Sequence, residues 1–224
     1  MTPRQLNRVA SDDALTAIYR MANDEQTRVI AARLGERLGV SAPTVGAMLQ
    51  RLVRDGFVRI DRHRTVTLTD AGLERAESMI RRHRLAECLL VDLLGLDWWR
   101  AYDEAHLIEH AISNETERLI LARLGCPARS PFGYPIPGVS SEARLSRRTL
   151  EDVDVGEPAV VERVFEEDAD LLAYFDGATI RPGATIQIVE RSRTLGMYTV
   201  QVDDETTSFA AAVAARIWVN ERAS

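Results

Sequence analysis

Hydrophobic positions along this chain follow one rhythm up to about residue 124 and another from residue 156 onward. In the first stretch they recur every three to four residues, which places them on one face of an α-helix; in the second they alternate, as in half-buried strands. Ser11-Asp12-Asp13 offers a helix N-cap ahead of Ala14, Leu15, Ile18, Tyr19 and Ala22, with residues 1–10 polar and frayed. VIAARLGERLGV (29–40) reads as a short helix closed by Gly39. SAPTVGAMLQRLVRDG (41–56) reads as a second, capped by Ser41, with Pro43 in the first turn where a missing N–H costs little. Two short strands follow, FVRID (57–61) and TVTLT (65–69), joined by Arg62-His63-Arg64. A long helix then covers Ala71 to Leu94. After a Trp98-Trp99 turn another runs from about Tyr102 to Leu124, and residues 125–142 are loop by their Pro and Gly content. Beyond Gly156 the strands are AVVERVF, ATIQIVER, MYTVQVD and ARIWVN, with turns at Pro182-Gly183 and Asp203-Asp204 and a short helix over Asp168–Phe175. This is the plan of a small all-β barrel.

The pattern predicts a multidomain α+β protein. Residues 1–75 form a winged helix-turn-helix DNA-binding domain, 76–142 a helical metal-binding and dimerisation domain, 143–155 a linker, and 156–224 the barrel. Two short helices meeting at a glycine, followed by hydrophobic–basic strands, are the sequence form of a winged helix-turn-helix. The apolar residues of the two later helices cover more than one face, which predicts burial against a second copy. A homodimer also supplies the two recognition helices that a palindromic operator on double-stranded DNA needs.

Charge sharpens this picture. The net charge of −6 by itself argues against nucleic acid, but its distribution does not. Residues 27–64 carry 8 Arg against 3 acids, whereas residues 151–224 carry 6 Arg against 15 acids. The helix 41–56 is placed to enter the major groove, with Ser41, Pro43 and Thr44 near base edges and Arg51, Arg54, Arg62 and Arg64 on phosphates or a groove edge. A plain three-helix module with solvated arginines has the same pattern. All 28 basic residues are arginine, a bias that says more about genome composition than about function. Two cysteines are too few for a disulfide framework; Cys88 belongs to an apolar helix and Cys126 to a loop. No apolar run reaches membrane-spanning length and no leader follows Met1, so a cytoplasmic location without membrane contact is expected.

The candidate chemistry is concentrated between Arg81 and His110, which holds three of the four histidines. His83 and Glu87 are four apart on one helix face, and His106, Glu109 and His110 share a face of the next helix. Imidazoles and carboxylates converging from two helices suit a divalent cation; a solvated His–Glu pair has the same spacing. His106-Leu-Ile-Glu109-His110 also matches the H-x-x-E-H pattern of a zinc metallopeptidase, in which Glu109 is the base. No phosphate-cradling glycine loop, nucleophile elbow or C-x-x-C pair is present, and no enzyme is expected.

SAPTVGAMLQRLVRDGFV, RRHRLAECLL, DEAHLIEHAIS and RSPFGYPIPG together resemble the diphtheria-toxin-repressor family of iron- or manganese-dependent transcriptional repressors, over nearly the whole chain. The resemblance implies that the barrel is an SH3-like domain similar to the FeoA module. It also implies a regulatory metal position at Asp13, His106, Glu109 and His110. A second, ancillary position would use His83 and Glu87, with Glu167 and Asp170 from the barrel. The sequence departs from the iron-type members, which carry Met where this chain has Asp13, Cys at His106 and a further His at Tyr102. An all-oxygen-and-nitrogen ligand set favours Mn(II) as activator, with Fe(II) second; Zn(II), Co(II) and Ni(II) are expected to bind in vitro. The expected function is a metal-activated repressor of metal-homeostasis genes. The alternative is a metal-independent winged-helix regulator that senses another solute.

Overall fold

The computed structural model describes residues 3–139 and 145–220 and divides into two compact units, with the boundary between Arg82 and His83. In the first unit, helix α1 (Pro3–Tyr19) runs on into a π turn over Arg20–Asp24. The expected N-cap at Ser11 is therefore wrong, because α1 begins about two turns earlier. Ser11 lies inside the helix and its hydroxyl donates to the carbonyl of Asn7 at 2.8 Å, the alternative open to a serine that does not cap. Its neighbour Asp12 is buried and accepts from Arg75 Nε at 2.6 Å.

Helices α2 (Ala31–Arg37) and α3 (Ala42–Arg54) follow. They are joined by a turn in which Gly39 adopts φ +63°, a conformation that only glycine reaches without strain. Ser41 caps α3 as expected, accepting from Thr44 N–H. Leu15, Ile18, Leu34, Leu49 and Leu52 pack into one core. Strands β1 (Val58–Ile60) and β2 (Val66–Leu68) pair antiparallel in the register Val58↔Leu68, and each buries its valine in that core. Helix α4 (Asp70–Cys88) then starts on the strand pair. It can do so because residue 72 is glycine: a Cβ there would stand 1.9 Å from the carbonyl oxygen of Phe57.

In the second unit, α4 ends in another π turn at Leu89–Leu93, and a 3-10 turn at Trp98–Arg100 leads into α5 (Ala101–Ile108). A continuous helix from Tyr102 to Leu124 does not form. A 3-10 turn over Glu109–Ala111 ends the first part, and Ser113 starts α6 (Asn114–Arg123) by accepting from Thr116 N–H at 3.2 Å. The local cap at Ser113 outweighs continuation of the helical period.

The sheet of this unit is five-stranded and antiparallel, in the order β6-β5-β4-β3-β7. It comprises β3 (Pro158–Val164), β4 (Thr185–Ser192), β5 (Met197–Val202), β6 (Glu205–Ala210) and β7 (Ile217–Val219). Helix α7 (Ala169–Gly177), capped by Asp168, follows β3, and the short α8 (Ala211–Ala214) precedes β7. β6 escaped the sequence reading because ETTSFA has one deeply buried side chain, Phe209, and otherwise faces out. Phe175, Ile186, Ile188, Val200 and Ile217 fill the core, which Trp98, Phe132 and Leu150 also enter. Trp98 Nε1 donates to the carbonyl of Pro131 at 3.0 Å, fixing the proline-rich loop.

Candidate metal centre and nucleic-acid face

Glu109 is the centre of the cluster that the sequence pointed to. It follows α5 directly, in the 3-10 turn, and is 5% exposed. Its two oxygens serve three imidazoles: Oε2 lies 2.6 Å from His83 Nδ1, and Oε1 lies 3.0 Å from His106 Nδ1 and 3.4 Å from His110 Nε2. Burial alone pushes a carboxyl group up, but here hydrogen bonds from His106 and His83 and their charge outweigh it. They hold Glu109 down to about 2.

His83 comes from α4 and is fully buried; its Nε2 stands 2.9 Å from Oε1 of Glu87, one helical turn on. The direction of approach is poor, and among the described residues neither oxygen of Glu87 receives a well-formed hydrogen bond. Glu87 is itself wholly buried. A carboxylate desolvated without hydrogen-bond donors is costly unless a cation or proton compensates it. Tyr102 packs edge-on against the His83 ring, with centroids 4.8 Å apart.

His83, His106 and Glu109 each offer a ligand atom, all within 4.8 Å of one another. Two imidazoles and one or two carboxylates make a donor set of the kind that holds a divalent first-row cation, so the residues present fit such an ion. The structure thus brings His83, expected with Glu87 in one position, onto the same carboxylate as His106 and His110, expected in another, while Glu87 meets only the far nitrogen of His83 among the described residues. Asp13 sits half-buried on α1 of the first unit. Glu167 is half-buried and Asp170 is exposed in the first turn of α7; neither joins a group of three donors among the described residues.

Ser41, Pro43 and Thr44 are exposed at the start of α3, on the N-terminal turn that Ser41 caps. Arg54, Arg62 and Arg64 are exposed and Arg51 is half-buried. The turn between β1 and β2 is tied by Asp61, whose carboxylate accepts from the N–H groups of His63 and Thr65 at 2.8 Å each. The Thr65 bond leads in holding Asp61 below its ordinary range. This knot puts Arg64 at φ +60°, a conformation arginine rarely adopts. Sequence reasoning missed Arg28, which braces the turn through Thr65 Oγ1 at 3.0 Å and the carbonyl of His63. The only available signal was the local excess of arginine.

Three family descriptions match the chain in order. "Iron dependent repressor, N-terminal DNA binding domain" covers residues 10–66, "Iron dependent repressor, metal binding and dimerisation domain" covers 69–138, and "FeoA domain" covers 148–221. Together with the winged helix and the buried His–Glu cluster they define the class: a metal-dependent, DNA-binding transcriptional repressor and not an enzyme. The chain is 36% identical over 188 residues to the diphtheria toxin repressor of Corynebacterium diphtheriae, covering 79% of this chain and 83% of that protein. It is 37% identical over 189 residues to the iron-dependent repressor IdeR of Mycobacterium tuberculosis, covering 78% and 81%. A solved structure described as a manganese-dependent transcriptional repressor in complex with manganese matches with a TM-score of 0.84 and 35% identity, over 93% of this chain and 98% of that one. ScaR with bound Cd2+ matches with a TM-score of 0.80 and 26% identity, over 94% and 99%. The chain belongs to the diphtheria-toxin-repressor family. The H-x-x-E-H string is accordingly part of a metal-binding and dimerisation domain, and the peptidase reading falls. Among the described residues no helix is long and apolar enough to cross a membrane.

Proposed function

We propose that this protein is a homodimeric repressor of metal-homeostasis genes, activated by Mn(II) and second by Fe(II), that binds a palindromic operator in the cytoplasm. One observation carries the reading: a buried carboxylate, Glu109, shared by three imidazoles and charged at physiological pH. Asp13, His106, Glu109 and His110 form the regulatory position. His83 and Glu87 begin an ancillary one, with Glu167 and Asp170 as its outer candidates. All of these donors are oxygen or nitrogen, the preference of Mn(II) and Fe(II); thiolates would favour softer ions. A divalent cation supplies the positive charge that lets carboxylates from separate helices stay close together. Asp13 joins α1 of the DNA-binding domain to that charge, and His106, Glu109 and His110 anchor it on and just after α5. The domain that carries Ser41, Pro43, Thr44, Arg51, Arg54, Arg62 and Arg64 is thereby held in one orientation. Leu94 and Leu107, 68% and 74% exposed, supply apolar surface for a second copy.

The test is binding of the full-length protein to the upstream region of its own gene, first with chelator and then with Mn(II), Fe(II) or Zn(II) restored. Binding that appears only on adding Mn(II) or Fe(II), and that His110→Ala abolishes while the dimer persists, supports the reading. Equal binding with chelator refutes it, and full activation by Zn(II) with none by Mn(II) refutes the metal assigned.

A further inference from the structure

We infer that helix α1 positions the phosphate-facing Arg51 through Asn7 and Ser11, so that these two side chains set DNA affinity without touching DNA. The inference rests on the reading of α3 as the DNA-facing helix. Arg51 reaches across from α3 to α1, where Nη1 donates to Asn7 Oδ1 and Nη2 to Ser11 Oγ, each at 3.3 Å. Both acceptors are neutral and both bonds are long for a guanidinium. Nε is buried and, among the described residues, donates to nothing. Arginine has five N–H donors in a rigid plane, so these two bonds fix the plane of the fork. They also leave over the second N–H of each terminal nitrogen, the pair that an anionic oxygen takes.

Among the described residues no carboxylate pairs with this guanidinium. The nearby acid of α1, Asp12, is already engaged by Arg75 Nε at 2.6 Å, and Arg75 stacks on Phe57. That second tie fixes the rotation of α1 against α4, and with it the direction in which Asn7 and Ser11 point. Arginine loses much rotamer freedom when it settles on a phosphate; one already held loses less, and the difference appears as affinity. Three consecutive residues of α1 thus do different work: Ser11 holds Arg51, Asp12 holds Arg75, and Asp13 is the proposed metal ligand. A pull on α1 at Asp13 reaches Arg51 through two residues of rigid helix.

A double-mutant cycle tests this, in the full-length protein with Mn(II) present. A phosphate contact carries no sequence information, so a labelled duplex of arbitrary sequence at low salt is sufficient. Alanine is the best helix former, so Asn7→Ala with Ser11→Ala does not melt α1, and thermal unfolding checks this. We expect the pair to weaken binding roughly three- to tenfold, the equivalent of ordering one long side chain. In an Arg51→Ala background the same pair should change binding less than about twofold, because the group it acts through is gone. Equal losses in both backgrounds overturn the inference, as does no loss in the parent when Arg51→Ala alone weakens binding. If Arg51→Ala itself has no effect, the placement of Arg51 on phosphate fails, and the inference falls with it.

Discussion

Replacing Glu109 by glutamine keeps the shape of the side chain and deletes its charge, and the structure sets how much that should cost. A carboxyl group held at about 2 instead of its ordinary 4.5 contributes about 3 kcal/mol at neutral pH, at ~1.4 kcal/mol for each pH unit. Glu109 is almost completely buried, so solvent screening takes little from this figure. Its energy belongs to the cluster, however: removing His83 or His106 should recover part of the same amount, and the single losses will not add. The sign follows from a depressed folded value. The stabilisation is complete above about 4.5 and is lost as pH falls toward about 2. Metal-free Glu109→Gln should therefore unfold about 6–12 °C below the parent near neutrality, taking roughly 2–4 °C per kcal/mol for a chain of this size. The gap should close on the acid limb. Scanning calorimetry in chelator across that range is the assay. Repeated with Mn(II), it should show a rise in the parent's Tm that the variant lacks, because binding to the folded state alone stabilises it. A variant as stable as the parent near neutrality, or a gap that does not change with acidification, refutes the charge assigned to Glu109.

The paired change Asp13→Met with His106→Cys introduces two sulfur donors; it should lower activation of DNA binding by Mn(II) and raise that by Fe(II), Co(II) or Ni(II), measured by anisotropy titration. Arg64→Ala should reduce the slope of log affinity against log salt by about 0.9 if it holds a phosphate, whereas Thr44→Ala should change base preference at an unchanged slope. Exposed Cys126 should react with iodoacetamide in the native protein while buried Cys88 does not. Desolvation first, then the neighbouring charges of Glu87 and Asp92, push the Cys88 thiol up to about 12; mass spectrometry of the labelled peptides reads the difference.

Where the sequence was legible, local chemistry and tertiary packing agree. Ser41, Pro43 and the apolar spacing Val45, Leu49, Leu52 all specify the same helix, and α3 begins and ends where they indicate. The β strands with alternating large apolar residues were visible for the same reason. Two kinds of feature were not. Ser11-Asp12-Asp13 has the composition of a cap, yet α1 continues through it, because Asp12 is taken by Arg75, 63 residues away, and the Ser11 hydroxyl turns back on Asn7. Composition cannot distinguish a serine that caps from one that bonds backward within a helix. The polar strand β6 likewise exists through its pairing with β5, which no window along β6 itself contains.

The histidine–carboxylate cluster shows a third limit. Helical spacing put His106, Glu109 and His110 on one face and His83 with Glu87 on another. Spacing could not reveal that α5 ends at Ile108, that Glu109 sits in a tighter 3-10 turn, and that Ser113 then starts a new helix. From there its carboxylate faces His106 and His110 with one oxygen and His83 with the other. A sequence gives the donors of a site and the helices that carry them. The carboxylate they share depends on where one of those helices stops. Here α5 stops at Ile108, and five residues on the Ser113 hydroxyl caps the next helix by accepting from the Thr116 N–H.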